Sequence, residues 1–296
     1  MNFTKMHGLG NDFVVVDMFN EMQIESPAQV AQDICHRHFG VGADGLVLIH
    51  PSTQADCRMQ IFNSDGSEAE SCGNALRCVA QFMHLQGRVN GAVLTVAAAA
   101  RDYHAEIVAQ AVASPLIRVN MGAPLLHPAA IPVAIAGEGP VVDLPLSTPT
   151  GEYSGVLVNS GVPHVVVFVP NLTGFDFVCA GKAIEKHALF PHGINVDFVQ
   201  VERRDCLRVK VWERGAGATL ACGTGAAAVV VAAHLTGRAN RTATVALPGG
   251  ELLMDWDAGS GDVYMTGPAV SVFTGQWPGC SFCKETTPLS RSYPCT

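Results

Sequence analysis

CGNALRCVAQFMHLQGR (72–88) and CGTGAAAVVVAAHLTGR (222–238) are the two stretches on which the fold turns. Laid over each other at an offset of 150 residues, Cys72-Gly73 meets Cys222-Gly223, His84-Leu85 meets His234-Leu235, and Gly87-Arg88 meets Gly237-Arg238. Upstream, Phe62 meets Trp212. A looser echo pairs HGLGNDFVVV (7–16) with HGINVDFVQV (192–201). Two echoes in the same order argue for duplicated halves. The period is far longer than the roughly 20–50 residues of a solenoid repeat.

Each unit reads alike. An alternating strand comes first, with Met59, Ile61 and Asn63 in one half and Leu207, Val209, Val211 and Glu213 in the other. A polar, glycine-bearing loop follows, SDGSEAES or RGAGATLA. A helix then starts at the Cys-Gly. In the second unit it is apolar on all sides from Ala226 to Ala233, as befits a buried helix. Gly87 and Gly237 stand where a helix C-terminal glycine belongs. Elsewhere short strands alternate with Gly/Pro turns, as in RVNMGAP (118–124) and VYMTGP (263–268). The expected fold is α/β (α+β): two pseudosymmetric domains, each a mixed or antiparallel sheet wrapped around a central helix. We place the N-terminal half at 1–119, completed by 268–276, the C-terminal half at 120–267, and a flexible tail at 277–296.

At 48% hydrophobic and 15% charged residues, the 296-residue chain has an ordered, globular composition. Its net charge of −8 and lack of a basic patch argue against a nucleic-acid partner. MNFTKMHGLGND carries no apolar leader, and the longest apolar run is far short of the roughly 20 residues of a membrane span. We expect a cytoplasmic protein with no membrane partner. Ten cysteines in a chain of this kind read as reduced thiols, most of them buried and inert.

A cysteine at a helix N-terminus faces unpaired N–H groups and the positive end of the helix dipole. Such placement lowers a thiol pKa from about 8.5 toward roughly 3.5–7.5, which makes a general base available near neutral pH. The N–H groups of Gly73, Asn74, Gly223 and Thr224 form an anion site. If the halves face each other, one carboxylate is held between two helix ends with a thiol on either side. That arrangement suits inversion of an α-carbon, one thiolate removing a proton and the opposite thiol delivering one. The chemistry calls for no cofactor and no metal. A thiol-redox or metal-binding protein is the competing class. It is weaker, because Cys72 and Cys78 lack a second pair for zinc and Cys280-x-x-Cys283 stands alone in the tail.

At these residues the sequence resembles the diaminopimelate epimerase family. The matching segments are KMHGLGNDFVVVD (5–17), GVGADGLVLI (40–49), FNSDGSEAESCGNALRC (62–78), NSGVPHVVVFV (159–169), FPHGINVDFVQV (190–201), ERGAGATLACGTGAAA (213–228) and MTGPAV (265–270). The resemblance implies a cofactor-independent isomerase, a homodimer, that interconverts LL- and meso-diaminopimelate in lysine and cell-wall precursor biosynthesis. It implies Cys72 and Cys222 as the acid/base thiols, and Gly73, Asn74, Gly223 and Thr224 as the clamp on the reacting carboxylate. Asn11, Asn63, Asn195 and Arg214 would hold the substrate, including its distal end. His164 and Glu213 would support the thiols and the ammonium group. Taken singly, Asn11 and Asn195 also suit turns, Arg214 a surface charge and His164 a loop. Val162 stands where many members carry Asn, Gly45 where some carry Gln, Ala218 where Glu is common, and Phe273 where some carry Tyr. Ala97–Ala100 replace a stretch that usually carries Thr and Gly. A racemase of the same fold acting on another amino acid, such as histidine, is the alternative.

Overall fold

A computed structural model describes residues 1–20, 23–70, 72–89, 91–109 and 115–279. The first half runs β1 (Asn2–Gly8), β2 (Asn11–Asp17), α1 (Pro27–Cys35), β3 (Gly45–His50), β4 (Cys57–Asn63), β5 (Glu68–Ala69), α2 (Gly73–Leu85), β6 (Val93–Ala97), β7 (Asp102–Ala109) and β8 (Leu116–Gly122). After β9 (Leu144–Thr148) the second half repeats the order. It runs β10 (Gly151–Asn159), β11 (Pro163–Phe168), α3 (Phe177–Glu185), β12 (Asn195–Arg203), β13 (Cys206–Glu213), β14 (Gly217–Thr219), α4 (Gly223–Leu235), β15 (Thr242–Leu247), β16 (Gly250–Trp256) and β17 (Val263–Pro268). β18 (Val270–Gln276) closes back on β1.

The strand pairing is duplicated step for step. β1–β2 is antiparallel, β2–β3 parallel, β3–β4 and β4–β5 antiparallel, β4–β6 parallel, and β6–β7–β8 antiparallel. β10 to β17 repeat that series in the same order. β8 and β17, the two short strands around RVNMGAP and VYMTGP, pair with each other, so the two sheets join edge to edge. β9 flanks β10 as β18 flanks β1.

This topology corrects the looser sequence echo. Residues 7–16 form the end of β1, the β1–β2 turn and β2, whose counterparts are the end of β10, the β10–β11 turn and β11. Residues 192–201 form a turn and most of β12, the counterpart of β3. Each segment sets a turn glycine just ahead of a buried strand, at different places in the echo: Gly10 in HGLGND, and in HGINVD Gly193, which meets Gly8. Gly10 and Gly193 have φ of +86° and +69°.

α2 and α4 are each 13 residues long and pack in one continuous core with the inward strand faces of both halves. α1 and α3 cover the outer faces over two smaller clusters. α4 contains Val229, Val230 and Val231, which are mediocre helix formers. All three are fully buried, and burial of about 1.5–3 kcal/mol per side chain outweighs a few tenths of propensity each. Both helices end alike. Gly87 and Gly237 adopt φ of +63° and +69°, and Arg88 and Arg238 donate their N–H to Met83 and Ala233 five residues back. This ending satisfies carbonyls that the last turn leaves open. Among the described residues, no helix is long and apolar enough to cross a membrane. Cys280, Cys283 and Cys295 of the expected tail lie outside the described residues.

Candidate active site

Cys72 and Cys222 are the N-cap residues of α2 and α4, both with extended backbone. The two helix starts meet. A Cβ placed on Gly223 would lie 3.8 Å from the Gly73 Cα and 3.0 Å from the Met265 Sδ. A Cβ on Gly73 would lie 2.9 Å from the Met265 Cε. Glycine at both positions therefore lets two positive helix ends converge on one spot, with Met265 beneath them. The first-turn N–H groups have no carbonyl partner within their helices; that of Gly225 is taken by the Cys222 sulfur, and those ahead of it can meet an anion held there.

The thiols have different company. The Cys72 Sγ donates to Asn11 Oδ1 at 3.6 Å. Asn11 Oδ1 also accepts from Asn74 Nδ2 at 3.1 Å, while Asn11 Nδ2 donates to Asp44 at 2.8 Å. The Cys222 Sγ accepts the Gly225 N–H at 3.4 Å and lies 3.3 Å from Thr224 Oγ1. Thr224 Oγ1 is 3.0 Å from His164 Nε2, and His164 Nδ1 is 2.7 Å from Asp197 Oδ2. His164 and Asp197 have no exposed surface. A neutral imidazole facing an ionised Asp197 carries its proton on Nδ1, and its Nε2 accepts from Thr224. The Thr224 hydroxyl oxygen is then free to accept from the Cys222 thiol. The chain from Cys222 to Asp197 thus has one consistent proton direction. Sequence reading did not single out Asp197. Its signal was a lone carboxylate in the apolar strand NVDFVQV.

Glu213 ends β13 and accepts from Thr219 Oγ1 at 2.5 Å. Burial pushes its carboxyl up, against the hydrogen bond from Thr219. Burial also pushes both thiols up, the reverse of what the helix-start argument predicts. For Cys72 the N–H groups of Ala75 and Asn74 oppose burial, the Glu213 charge adds to it, and Arg77 lowers it. For Cys222 the carboxylates of Glu213 and Asp197 add to burial and drive the thiol higher still. Loss of water around a sulfur outweighs two or three oriented N–H groups.

The other predicted residues are placed as follows. Asn195 spends its amide on backbone, donating to Pro163 O at 2.8 Å and accepting the Arg214 N–H at 2.9 Å. It therefore shapes the loop that carries Arg214. The aliphatic stem of Arg214 leans over the turn at Gly193, and its guanidinium donates to His192 O at 3.3 Å. Asn63 lies opposite Gly45 across the β3–β4 ladder and donates to Ser67 Oγ at 2.9 Å on the exposed rim. Val162, 38% exposed, follows Gly161 in the β10–β11 turn as Asn11 follows Gly10 in the β1–β2 turn. The pseudosymmetric counterpart of a thiol-contacting asparagine is thus an aliphatic side chain. Among the described residues, no three potential metal ligands cluster.

A sequence model of the family named diaminopimelate epimerase matches residues 3–126 and 156–272, which include every site residue described above. The chain belongs to the diaminopimelate epimerase family. It is an isomerase of that family. The diaminopimelate epimerase of Moorella thermoacetica is 47% identical over 94% of this chain and 99% of its own. That of Acetivibrio thermocellus is 48% identical over 93% and 98%. Among solved structures, a Bacillus anthracis phenazine biosynthesis protein of the PhzF family superposes with a TM-score of 0.68 at 17% identity, covering 93% of this chain and 98% of its own. An Agrobacterium vitis hydroxyproline epimerase superposes at 0.66 and 16% identity, covering 93% and 91%. At such identities these two show the shared fold.

Proposed function

We propose that this chain epimerises diaminopimelate at one α-carbon by a two-thiol proton transfer, interconverting the LL and meso forms in lysine and cell-wall precursor synthesis. The observation that carries the reading is the meeting of two Cys-capped helix starts at Gly73 and Gly223. A substrate carboxylate bound there accepts from the N–H groups of Gly73, Asn74, Gly223 and Thr224. One sulfur removes the α-proton as thiolate. The other, on the opposite face, delivers its thiol proton. Charge that develops on the carboxylate is met by the converging helix ends, in a site that excludes water. Both proton positions are supplied by the protein, so the reading needs no cofactor.

The half-buried Glu213 suits the substrate ammonium, and Asn11, Asn63, Asn195 and Arg214 suit the remaining polar groups. A guanidinium fork matches a distal carboxylate. His164 acts on Cys222 through Thr224. Residues 1–119 with 268–276, and 120–267, serve as the two halves; β8 supports that division, since it pairs with β7 on one side and β17 on the other. A homodimer working in the cytoplasm completes the reading.

The test is α-hydrogen exchange. Reduced protein incubated with LL-diaminopimelate in heavy water should place deuterium at one α-carbon and build up the meso form. No exchange, with all thiols titrated as free, would overturn the proposal. Exchange with histidine or another amino acid but not with diaminopimelate would move the substrate and keep the chemistry. Val162 makes that arm of the test necessary.

A further inference from the structure

Arg77 heads the side chains that have no exposed surface. Its guanidinium meets only neutral acceptors. Nη2 donates to Asn74 Oδ1 at 2.8 Å, Nε to Pro268 O at 3.1 Å, and Nη1 to Gly73 O at 3.4 Å and Met265 Sδ at 3.2 Å. Space is left for it: a Cβ on Gly8 would stand 2.8 Å from Nη2, and one on Gly267 would stand 3.4 Å from Nε. Among the described residues, no carboxylate forms an ion pair with it. A buried cation without a counter-ion is costly, and such groups are kept where a charge will meet them.

The ionisable groups acting on Arg77 are Cys72 and Cys78. Burial holds the Cys78 thiol at about 12, so it stays neutral. Cys72 is then the group able to become the partner. Burial lowers Arg77 only to about 10, so it remains charged at neutral pH. With Cys72 protonated, a short chain joins the two: Arg77 donates to Asn74, Asn74 donates to Asn11 Oδ1, and that same oxygen accepts from Cys72. On ionisation Cys72 gives up the Asn11 contact and keeps the N–H groups of Ala75 and Asn74. Asn74 also donates to Ala221 O at 3.4 Å, the residue before Cys222.

The pseudosymmetry fails at this place. At the offset of 150, the counterpart of Arg77 is Ala227. Cys222 has no buried cation of this kind and faces the carboxylates of Glu213 and Asp197. Cys72 faces Glu213 and Arg77.

Resting on the two-thiol reading, we propose that Arg77 is a positioning residue whose buried charge makes Cys72, rather than Cys222, the thiolate of the free enzyme. Cys222 then waits as the proton donor at the end of its Thr224–His164–Asp197 chain. The free enzyme is poised for the substrate hand whose α-proton faces Cys72.

The experiment is alkylation of the full-length, reduced, substrate-free protein with iodoacetamide across pH. Peptide mass spectrometry reads Cys72 and Cys222 separately. The pH midpoint reports ionisation, whereas access to reagent alters only the plateau rate. In the wild-type protein Cys72 should titrate below Cys222. Arg77→Gln, which keeps a donor and removes the charge, should raise the Cys72 midpoint by about one pH unit or more, with roughly tenfold less thiolate below it. Its kcat/KM should fall about as much near neutral pH and recover at higher pH. Arg77→Lys should hold the midpoint near the wild-type value. The proposal is overturned if Cys222 titrates first in the wild-type protein, or if folded Arg77→Gln leaves the Cys72 midpoint in place. Should Arg77→Gln fail to fold, the wild-type order and Arg77→Lys still decide. Turnover by Cys72→Ala would overturn the two-thiol reading itself, a result distinct from the alkylation order.

Discussion

Gly225→Ala adds one methyl group where the structure leaves no room. An ideal Cβ at Gly225 falls 2.5 Å from Asp197 Oδ1 and 3.3 Å from the Cys222 Cβ. Real carbon–oxygen contacts need nearly an ångström more, so the carboxylate or the helix start must move. Asp197 is fully buried and held through Oδ2 to His164 at 2.7 Å. Its Oδ1 has no hydrogen-bond partner that the shift would break. The steric cost therefore lies in the usual overpacking range of about 1–3 kcal/mol, with the loss of a helix-interior glycine returning up to about 1 kcal/mol. Net destabilisation of about 1–2 kcal/mol follows, readable by urea unfolding of the reduced protein.

The catalytic loss should be larger than the folding loss. The methyl presses on the Asp197 carboxylate and on the Cys222 Cβ, and it displaces the Asp197–His164–Thr224–Cys222 chain by a good fraction of an ångström. Misplacement of about 1 Å typically costs about 100-fold in rate. The deuterium exchange assay should show kcat down by 10- to 100-fold, with exchange at Cys222 more affected than substrate binding. Gly237→Ala is the control. It also carries strain, at φ +69°, but a Cβ there meets nothing within 4 Å and lies at the far end of α4. It should cost about 1 kcal/mol of stability and leave kcat unchanged. A Gly225→Ala protein with kcat within twofold of wild type would refute the claim that this chain serves Cys222.

Cys72→Ala and Cys222→Ala should each stop turnover while far-ultraviolet circular dichroism stays native, since each removes one proton carrier and leaves a small residue at the helix start. Asp12 carries a folding prediction with a definite sign. Against the raising effect of burial, Arg37 and Lys5 hold its carboxyl at about 2, below its ordinary 3.8. Its stabilisation, on the order of 1 kcal/mol at this partly exposed site, is present above pH 4 and is lost as the pH falls toward 2. Acid unfolding of Asp12→Asn should lack that share of the slope, and an unchanged slope would contradict it. Deleting residues 280–296 should leave kcat and KM unaltered, because the family match ends at residue 272.

Much of this was readable from residues alone because duplication leaves a register. The offset of 150 located both Cys-Gly caps, both helices and both terminal glycines. The alternation in each half located β4 and β13. The equivalence of the β1–β2 and β10–β11 turns was not readable in this way. The sequences there diverge to Asn11 and Val162, and strand pairing alone reveals the match. Asp197, Thr219 and Arg77 were missed for a related reason. Each is a polar residue between two apolar neighbours in the chain, and a pattern marks such a residue as odd without naming what it touches.

The sequence by itself determined the duplicated α/β architecture, the paired helix-capping cysteines and the family to which they belong, because periodicity, caps and glycines act locally along the chain. Only the tertiary structure decided how unlike the two thiols are. Burial raises both, a guanidinium lies behind one, and two carboxylates and an imidazole lie around the other. A thiol's charge state depends on desolvation and on groups that approach through space from other strands, and one-dimensional order does not record either.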